Sequence, residues 1–589
     1  MSTENKAPAE AKQLGLFAAI ASLSYVFWIV GGMEMIERLA YYGVKAVGAL
    51  YAKDPVSKGG LGITMTQFGS ILMIWALVQS ILPVFTGVLS DRFGYKQTIG
   101  LSTIIKIAGY LIMAAMPTYV GFLIGAIVLA AGTAVFKPGI QGTLVKASKP
   151  ENSSMAWGIF YQTVNIGGFL GPLLAGAMRK LEWKYVFLAC AAIISLNFIM
   201  LLLYKEPGKA EREAELAKEK SAGTQTNMVM DSLNELKKPH LFIYLAIFSG
   251  FWFMFNALFD VLPVYIEEWV WTGDIIATLF GSGGSDNAVV NFFVVTNLYG
   301  TQIQPEGLLN FNALMIMTTC FLFAWVSGLM RPTTSMVLGT ALATIALFAI
   351  GHSTAGWICL GSIAIFSAGE MFSSPKFSEF VGNFAPDSKK AMYLGFSQIP
   401  LAIGWTLEGW LGPKLYDIFA SKENFSREML EAEGMMTSAQ VEALPNGEAF
   451  DTLVHTSVGD VPLDGLPGMT PADMSAFADA VVVEGSILPK GSEEIAADAV
   501  TRAVSSWDLH NAVAKDLAEI MDEDQANALL DQAGPHLEVL FNATANPLTE
   551  SMYAANSVSM VWDIMGVIGI ISAVLIFLYG RWVKGKTFN

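Results

Sequence analysis

Charge is scarce in this chain: of 589 residues only 15% are charged, while 53% are hydrophobic. That balance lies far from a soluble average, excludes an ordinary water-soluble domain, and reads as a polytopic membrane protein. Cysteine is nearly absent. Cys190, Cys320 and Cys359 all sit in apolar runs without paired spacing, so neither a disulfide framework nor a thiolate metal site is expected. The five histidines, His240, His352, His455, His510 and His536, have no ligand-like neighbour at helical spacing, and no metal or other cofactor is expected. A nucleophile with its base, a phosphate loop and a metal cluster are all missing, so an enzyme is not expected, nor is a nucleic-acid partner. No cleavable signal is expected either. Met1 to Gln13 is polar and mixed in charge, and the apolar run that follows is too long for a signal core.

What is present is a series of apolar runs, each about 20 residues long and so able to span a bilayer. Six begin near Leu16, Thr66, Thr98, Tyr119, Trp157 and Trp183, and six more near Leu241, Leu308, Ser335, Trp357, Met392 and Val558. The expected fold is an all-α membrane protein of twelve helices in two six-helix bundles. Residues 1–204 form the first bundle, 205–240 a charged cytoplasmic linker, 241–415 helices seven to eleven, and 554–589 the last helix and a tail. Basic residues in short loops, such as Arg92, Lys96, Lys146, Lys149, Arg331, Lys389 and Lys390, place both termini in the cytoplasm; Arg179, Lys180 and Lys184 dissent.

Two insertions then fall outside. One spans 272–307 and contains the turn signal Gly281-Ser-Gly-Gly-Ser-Asp286. The other, 416–553, holds 25 acidic and 5 basic residues, a balance of −20, and leaves about +4 for the rest of the chain. Its punctuation, Thr470-Pro471, Ser492-Glu493-Glu494 and Gly534-Pro535, predicts a small, mostly helical extracytoplasmic domain. An unknown partner could bind there.

The first apolar run carries Glu34, Glu37, Arg38, Tyr41 and Lys45, which fall within roughly 60° of one line on a helix. Charged groups at mid-bilayer face cavities and find partners. Two acids one helical step from a single arginine read either as a structural ion-pair cluster or as a group whose pairing changes on protonation. Lys137 lies in an apolar run beside Pro138 and needs a counter-charge or a water-filled cavity; Glu370 has the same problem in the other half. A base on one half and an acid on the other suit a zwitterion between them, or a fixed ion pair. Lys106 is expected to snorkel to the cytoplasmic end and Glu408 to lie near the outer end. Gly167, Gly168 and Gly171 are expected to let helices pack closely.

Between helices two and three, Gly87-Val-Leu-Ser-Asp91-Arg92-Phe-Gly94-Tyr95-Lys96 resembles the signature loop of the major facilitator superfamily. Within it, Glu34-x-x-Glu37-Arg38-x-x-Tyr41-Tyr42-Gly43 resembles the helix-one motif of the proton-coupled oligopeptide transporter family, with Leu39 in place of the usual phenylalanine. Phe136-Lys137-Pro138, Phe160-Tyr161-Gln-Thr-Val-Asn165-Ile-Gly167, and Gly369-Glu370-Met-Phe-Ser-Ser374-Pro375 with Ala385-Pro386 are similar to three further motifs of that family.

The resemblance implies a symporter that imports di- and tripeptides with protons by alternating access, in a membrane expected to be the bacterial inner membrane. It implies that Glu34, Glu37 and Arg38 couple protons. Arg38 and Lys137, with Lys45, would receive the peptide carboxylate and Glu370 the amino group. Tyr41, Tyr42, Tyr161, Asn165 and Asn312 would line the pocket, although Ala313 replaces a proline expected after Asn312. Asp91 and Arg92 would gate the conformational change. Helix seven departs from the pattern, reading Phe251-Trp252-Phe-Met-Phe-Asn256-Ala257; Asp260, one turn on, either substitutes for the missing gate acid or is a solvated outer acid. Two other readings compete: a carrier of another small zwitterionic or drug-like solute, and a nutrient receptor or scaffold built on the acidic outer domain.

Overall fold

A computed structural model of the chain describes residues 16–149, 152–207, 209, 239–281, 284–297, 300–384, 396, 398–458 and 545–583. Twelve helices among these residues make up its body: α1 (Tyr25–Lys45), α2 (Met65–Phe93), α3 (Tyr95–Ala115), α4 (Tyr119–Ala147), α5 (Ser153–Arg179), α6 (Trp183–Ser195, continued by Asn197–Leu203), α7 (Pro239–Asp260, continued by Leu262–Trp269), α8 (Pro305–Gly328), α9 (Pro332–Gly351), α10 (Gly356–Phe384), α11 (Gln398–Phe419) and α12 (Met560–Val583). Among the described residues eight of these are long and apolar enough to cross a membrane by length and composition alone, and α8 makes a ninth when its two segments count as one span. The other three, α1, α5 and α11, carry much of the site described below. Among the described residues β-structure is limited to two isolated bridges, Trp271 to Ala355 and Thr296 to Ile303.

Local chemistry sets the helix ends. Ser24 caps α1 by accepting from Phe27 N at 3.3 Å, so α1 begins at Tyr25, and the expected first run is split by a turn after the short helix Leu16–Ala21. Thr64 and Gln67 form a capping box at the start of α2. Gly94, at φ +101°, makes the turn between α2 and α3 that a side chain would strain.

Packing divides the body into α1–α6 and α7–α12. In the first group α3 packs on α4 and α6, and α1 on α5 and α6; in the second α9 packs on α10 and α12, and α7 on α11 and α12. The groups meet along α2 with α11 and α5 with α8. Large apolar side chains such as Leu101, Ile104, Leu202, Ile571, Val574 and Leu578 stay exposed, as lipid-facing residues do.

After α11 the chain forms three short helices, Lys422–Ala432, Ser438–Ala443 and Ala449–Val458. They lie at one end of the bundle, the insertion face, and rest on the loop between α1 and α2: Ser57 Oγ donates to Glu448 Oε1 at 2.6 Å and Lys58 pairs with Asp451 at 2.9 Å. Residues 459–544 of the acidic insertion, which carry its helix punctuation, lie outside the described residues, as does most of the 205–240 linker. The expected insertion at 272–307 holds two short helices, Gly273–Phe280 and Ala288–Val294, pinned where Thr272 Oγ1 donates to Ile303 O at 2.8 Å.

Candidate functional site

The charged face of α1 looks into the protein, with Glu34, Glu37, Arg38, Tyr41 and Lys45 all buried. Arg38 pairs with Glu34 at 3.1 Å and with Glu37 at 2.5 Å. Glu37 also pairs with Lys106 of α3 at 2.6 Å. Lys106 is 1% exposed, so it does not snorkel. It is the twelfth of 21 residues in α3, too far from either end for its ammonium to reach water, and Glu37 and the ring of Phe136, 3.9 Å from Nζ, take the place of solvent.

Close packing makes this cluster. A methyl group on Gly171 of α5 would lie 2.8 Å from Gly43 N and from Leu39 O, and one on Gly167 would lie 2.5 Å from Met35 O and 2.7 Å from Arg38 Cβ. Glycine at both positions lets the α5 backbone touch α1 beside Arg38. Gly168 differs: its added methyl would meet only the Tyr42 ring, at ordinary van der Waals distance.

Lys137 lies half-buried on α4 within the electrostatic reach of Arg38, Glu37 and Glu34. Among the described residues no carboxylate comes within ion-pair distance of it. The cluster therefore holds two acids, Glu34 and Glu37, against three bases, Arg38, Lys106 and Lys137, and is left with one positive charge. On the other half Glu370 of α10 is buried and accepts from Asn312 Nδ2 of α8 at 3.1 Å; Asn312 Nδ2 also reaches Ser367 Oγ at 2.9 Å. Its partner is neutral, so Glu370, when ionised, carries a negative charge with no counter-charge beside it. Tyr42 lies within electrostatic reach of both Arg38 and Glu370, and Tyr161 of both Glu370 and Tyr42. Asn165 Nδ2 donates to Tyr161 O, one turn back in α5, at 2.8 Å. Tyr41 lies under Arg38, whose guanidinium carbon is 5.1 Å from its ring centre, and its hydroxyl accepts from Gln79 Nε2 of α2 at 3.2 Å.

A second ionic centre lies one end of α1 away. Lys45 pairs with Asp260 of α7, and Asp260 Oδ2 accepts from Trp405 Nε1 of α11 at 2.9 Å. Asp260 is 1% exposed, so it is not a solvated acid, and Lys45 is engaged with it across the two helix groups. Beside it Glu408 of α11 is fully buried, not at an outer end. Nearer the insertion face Lys53 pairs with Glu268, which also accepts from Tyr416 at 2.6 Å, and Arg179 lies 3.4 Å from Glu267 and 3.5 Å from Glu306. Asp417 at the end of α11 accepts from Met65 N and Thr66 N at the start of α2. These links tie the two groups together at the insertion face. The expected gate residues Asp91 and Arg92 fall in the last turn of α2, and their side chains lie outside the described residues.

Two six-helix groups with a buried charged seam are the architecture of a membrane carrier, and the family model of the Major Facilitator Superfamily matches residues 17–407. The chain belongs to the major facilitator superfamily. Its family and fold are those of membrane transporters. Among relatives it is 28% identical over 199 residues to the uncharacterized transporter YclF of Bacillus subtilis, and 28% identical over 206 residues to the peptide transporter YePEPT of Yersinia enterocolitica. Each match covers 33% of this chain and 39% of the relative, so the chain spans about two fifths of the length of these relatives. A longer match, 20% identical over 61% of this chain and 79% of the relative, is to the multidrug resistance protein MdtH of Photorhabdus laumondii. Among solved structures, the peptide transporter POT in complex with alafosfalin superposes with a TM-score of 0.55 at 18% identity, covering 69% of this chain and 91% of that one, which shows a common fold.

The sequence missed the Lys106–Glu37 pair and the placement of Glu408. For Lys106 the signal was present: it sits near the middle of α3 once that helix is started after Gly94.

Proposed function

We propose that this carrier is a proton-coupled symporter that imports small peptides through the bacterial inner membrane, with both termini in the cytoplasm and the insertion face outside. The observation that carries the reading is the charge left over on each half: one positive at Arg38, Lys106 and Lys137, one negative at Glu370 when it is ionised. An uncompensated buried charge is costly, and a zwitterion with a carboxylate at one end and an ammonium at the other neutralises both at once. Among small zwitterions, the motif resemblance and the peptide transporters among its relatives and fold neighbours favour di- and tripeptides.

In this reading Lys137 receives the carboxylate together with Arg38, and Glu370 receives the amino group, with Asn312 holding its carboxylate in place. Tyr42, Tyr161 and Asn165 line the space between. Protonation of Glu34 or Glu37 weakens its hold on Arg38 or Lys106 and frees a cation for substrate, so proton and peptide bind as one event. Lys45–Asp260 is the outer gate, with Asp260 standing in for the acid that helix seven lacks at its usual place. The ion pairs at the insertion face describe this gate closed, and the halves rock to open it. Asp91 and Arg92 would serve the opposite gate.

Counterflow in proteoliposomes tests the substrate class. Unmodified dialanine should exchange, whereas N-acetyl-dialanine and dialanine amide, each missing one terminal charge, should not. Exchange of both capped peptides at the unmodified rate would refute the zwitterion reading. A second reading, a carrier of another small zwitterionic or drug-like solute, draws on the likeness to MdtH and on the altered helix seven; a solute that displaces bound dialanine at lower concentration than any dipeptide would favour it.

A further inference from the structure

The proposed symporter accounts for the acids on α1 and for Asp260, but leaves Glu408 without a use. Glu408 lies 11 residues before Phe419, where α11 ends, and is 0% exposed. No donor among the described residues reaches either of its carboxylate oxygens. Its place is made for it: a methyl group on Gly412 would collide with Glu408 Oε1 and lie 3.3 Å from Met565 Cε. The charged groups in electrostatic reach are Asp260 from α7 and Lys45 from α1. Helices α2 and α12, which also pack on α11, bring uncharged groups: Leu72 against Gly409, Trp75 against Trp405, and Met565.

This centre therefore sets two carboxyls against one ammonium. With all three ionised it carries a net negative charge, buried, with one acid lacking any donor, the arrangement a low-dielectric interior penalises most. One proton on the carboxyl pair makes the centre neutral and supplies the missing donor. When the outer gate opens, Lys45 leaves with the first half, and Asp260 and Glu408 stay together on the second, facing water. There they are free to ionise or to take up a proton from outside.

We propose that Glu408 is a proton-binding residue of the outer gate, protonated whenever Lys45 is locked onto Asp260, so that closing the gate requires a proton from the external side. The inference rests on the reading of the insertion face as external and of Lys45–Asp260 as the gate. It adds a second proton site, remote from Glu34 and Glu37. The sign follows from linkage: the closed gate holds a proton that the open gate can give up, so acid outside favours closure and alkali favours opening.

Spin labels at Leu181 and Leu279, both exposed and on opposite halves at the insertion face, report the gate distance in proteoliposomes without any substrate. In otherwise wild-type protein the closed population should fall as pH rises. Glu408→Gln, which keeps the shape and fixes the neutral form, should stay closed across that range, and Glu408→Asp should restore a titration with a displaced midpoint. Glu408→Gln titrating like the wild type, or a wild-type closed population that does not respond to pH, would overturn the proposal. Because the labels read the gate and not transport, the role of Glu408 is tested even in a carrier that moves no peptide. Normal peptide uptake with an unchanged titration in Glu408→Gln would remove this inference alone.

Discussion

At the scale of single residues, the cluster on α1 separates two kinds of buried charge. Lys106 and Glu37 pair with each other, while Lys137 has a field but, among the described residues, no ion-pair partner, and the two lysines should respond differently to removal. Lys106→Ala leaves Glu37 with Arg38 alone in a buried site, and breaking a buried pair typically costs about 3–5 kcal/mol. Its thermal unfolding in detergent should shift down by several degrees. Lys137→Ala removes a charge with no such partner, so its unfolding temperature should stay near wild type or rise. Dialanine affinity should fall by roughly ten- to a hundredfold, the worth of a charged hydrogen bond of about 1.5–3 kcal/mol. Binding and unfolding measured on both variants check the contrast; equal destabilisation would mean that Lys137 is structural.

Lys422 offers a pH prediction outside the membrane. It is buried under the helix Ala449–Val458, with its ammonium 3.7 Å from the Phe450 ring centre, and burial pushes its pKa down to about 7 despite Glu268 and Asp451 nearby. A lysine whose folded value lies below its unfolded one binds fewer protons when folded. Stability therefore rises with pH from about 7 toward the ordinary lysine range and is lowest below pH 7. Hydrogen exchange of residues 449–458, corrected for intrinsic rates, should show stronger protection at pH 8.5 than at pH 6. Lys422→Met should abolish that difference.

At the scale of elements, the glycines of α5 set where the cluster can sit. Gly171→Ala would press a methyl onto the α1 backbone at Gly43 and Leu39, neither of which can rotate away. Overpacking of this kind costs about 1–3 kcal/mol. Gly168→Ala meets only a side chain at ordinary contact distance and should be nearly neutral. Unfolding temperatures of the two variants, measured side by side, test whether close approach or mere smallness is what α5 needs.

Element boundaries also decide what the sequence could reveal. The charged face of α1 was legible because its helical spacing is local, and Lys137 and Glu370 stood out because each lies inside an apolar run. Glu408 was not legible as a buried acid. A span of about 20 residues started at Met392 puts it near the outer end, whereas α11 continues 11 residues past it to Phe419. Lys106 was misplaced by the same reasoning, since a start near Thr98 hides that the helix begins at Tyr95. The Glu37–Lys106 pair joins positions 69 apart in the chain, and no local pattern reports which faces of α1 and α3 meet.

At the scale of the whole molecule, hydropathy marks most of the helices of a major facilitator carrier, because each span must satisfy its own backbone in lipid, while α1, α5 and α11 are not apolar enough to be marked by it. Closure was beyond it. Lys45–Asp260, Lys53–Glu268, Arg179 with Glu267 and Glu306, and Asp417 on the start of α2 all join one half to the other at the insertion face, and each pairs residues 88 or more positions apart. The helices at 422–458 add a strap from the second half to the α1–α2 loop of the first through Glu448 and Asp451. The proposed transport cycle must break these contacts in concert on one side while the charged seam exchanges partners in the middle.

Uptake of labelled dialanine into proteoliposomes, with and without an inward proton gradient, tests this account most directly, with wild type compared against Glu37→Gln and Lys137→Ala. The wild type should accumulate dialanine when the gradient is present, Glu37→Gln should lose the gradient's effect, and Lys137→Ala should lose uptake. Correctly folded wild-type protein that moves no dipeptide, or Glu37→Gln that still accumulates it with the gradient, would contradict the proposed symport.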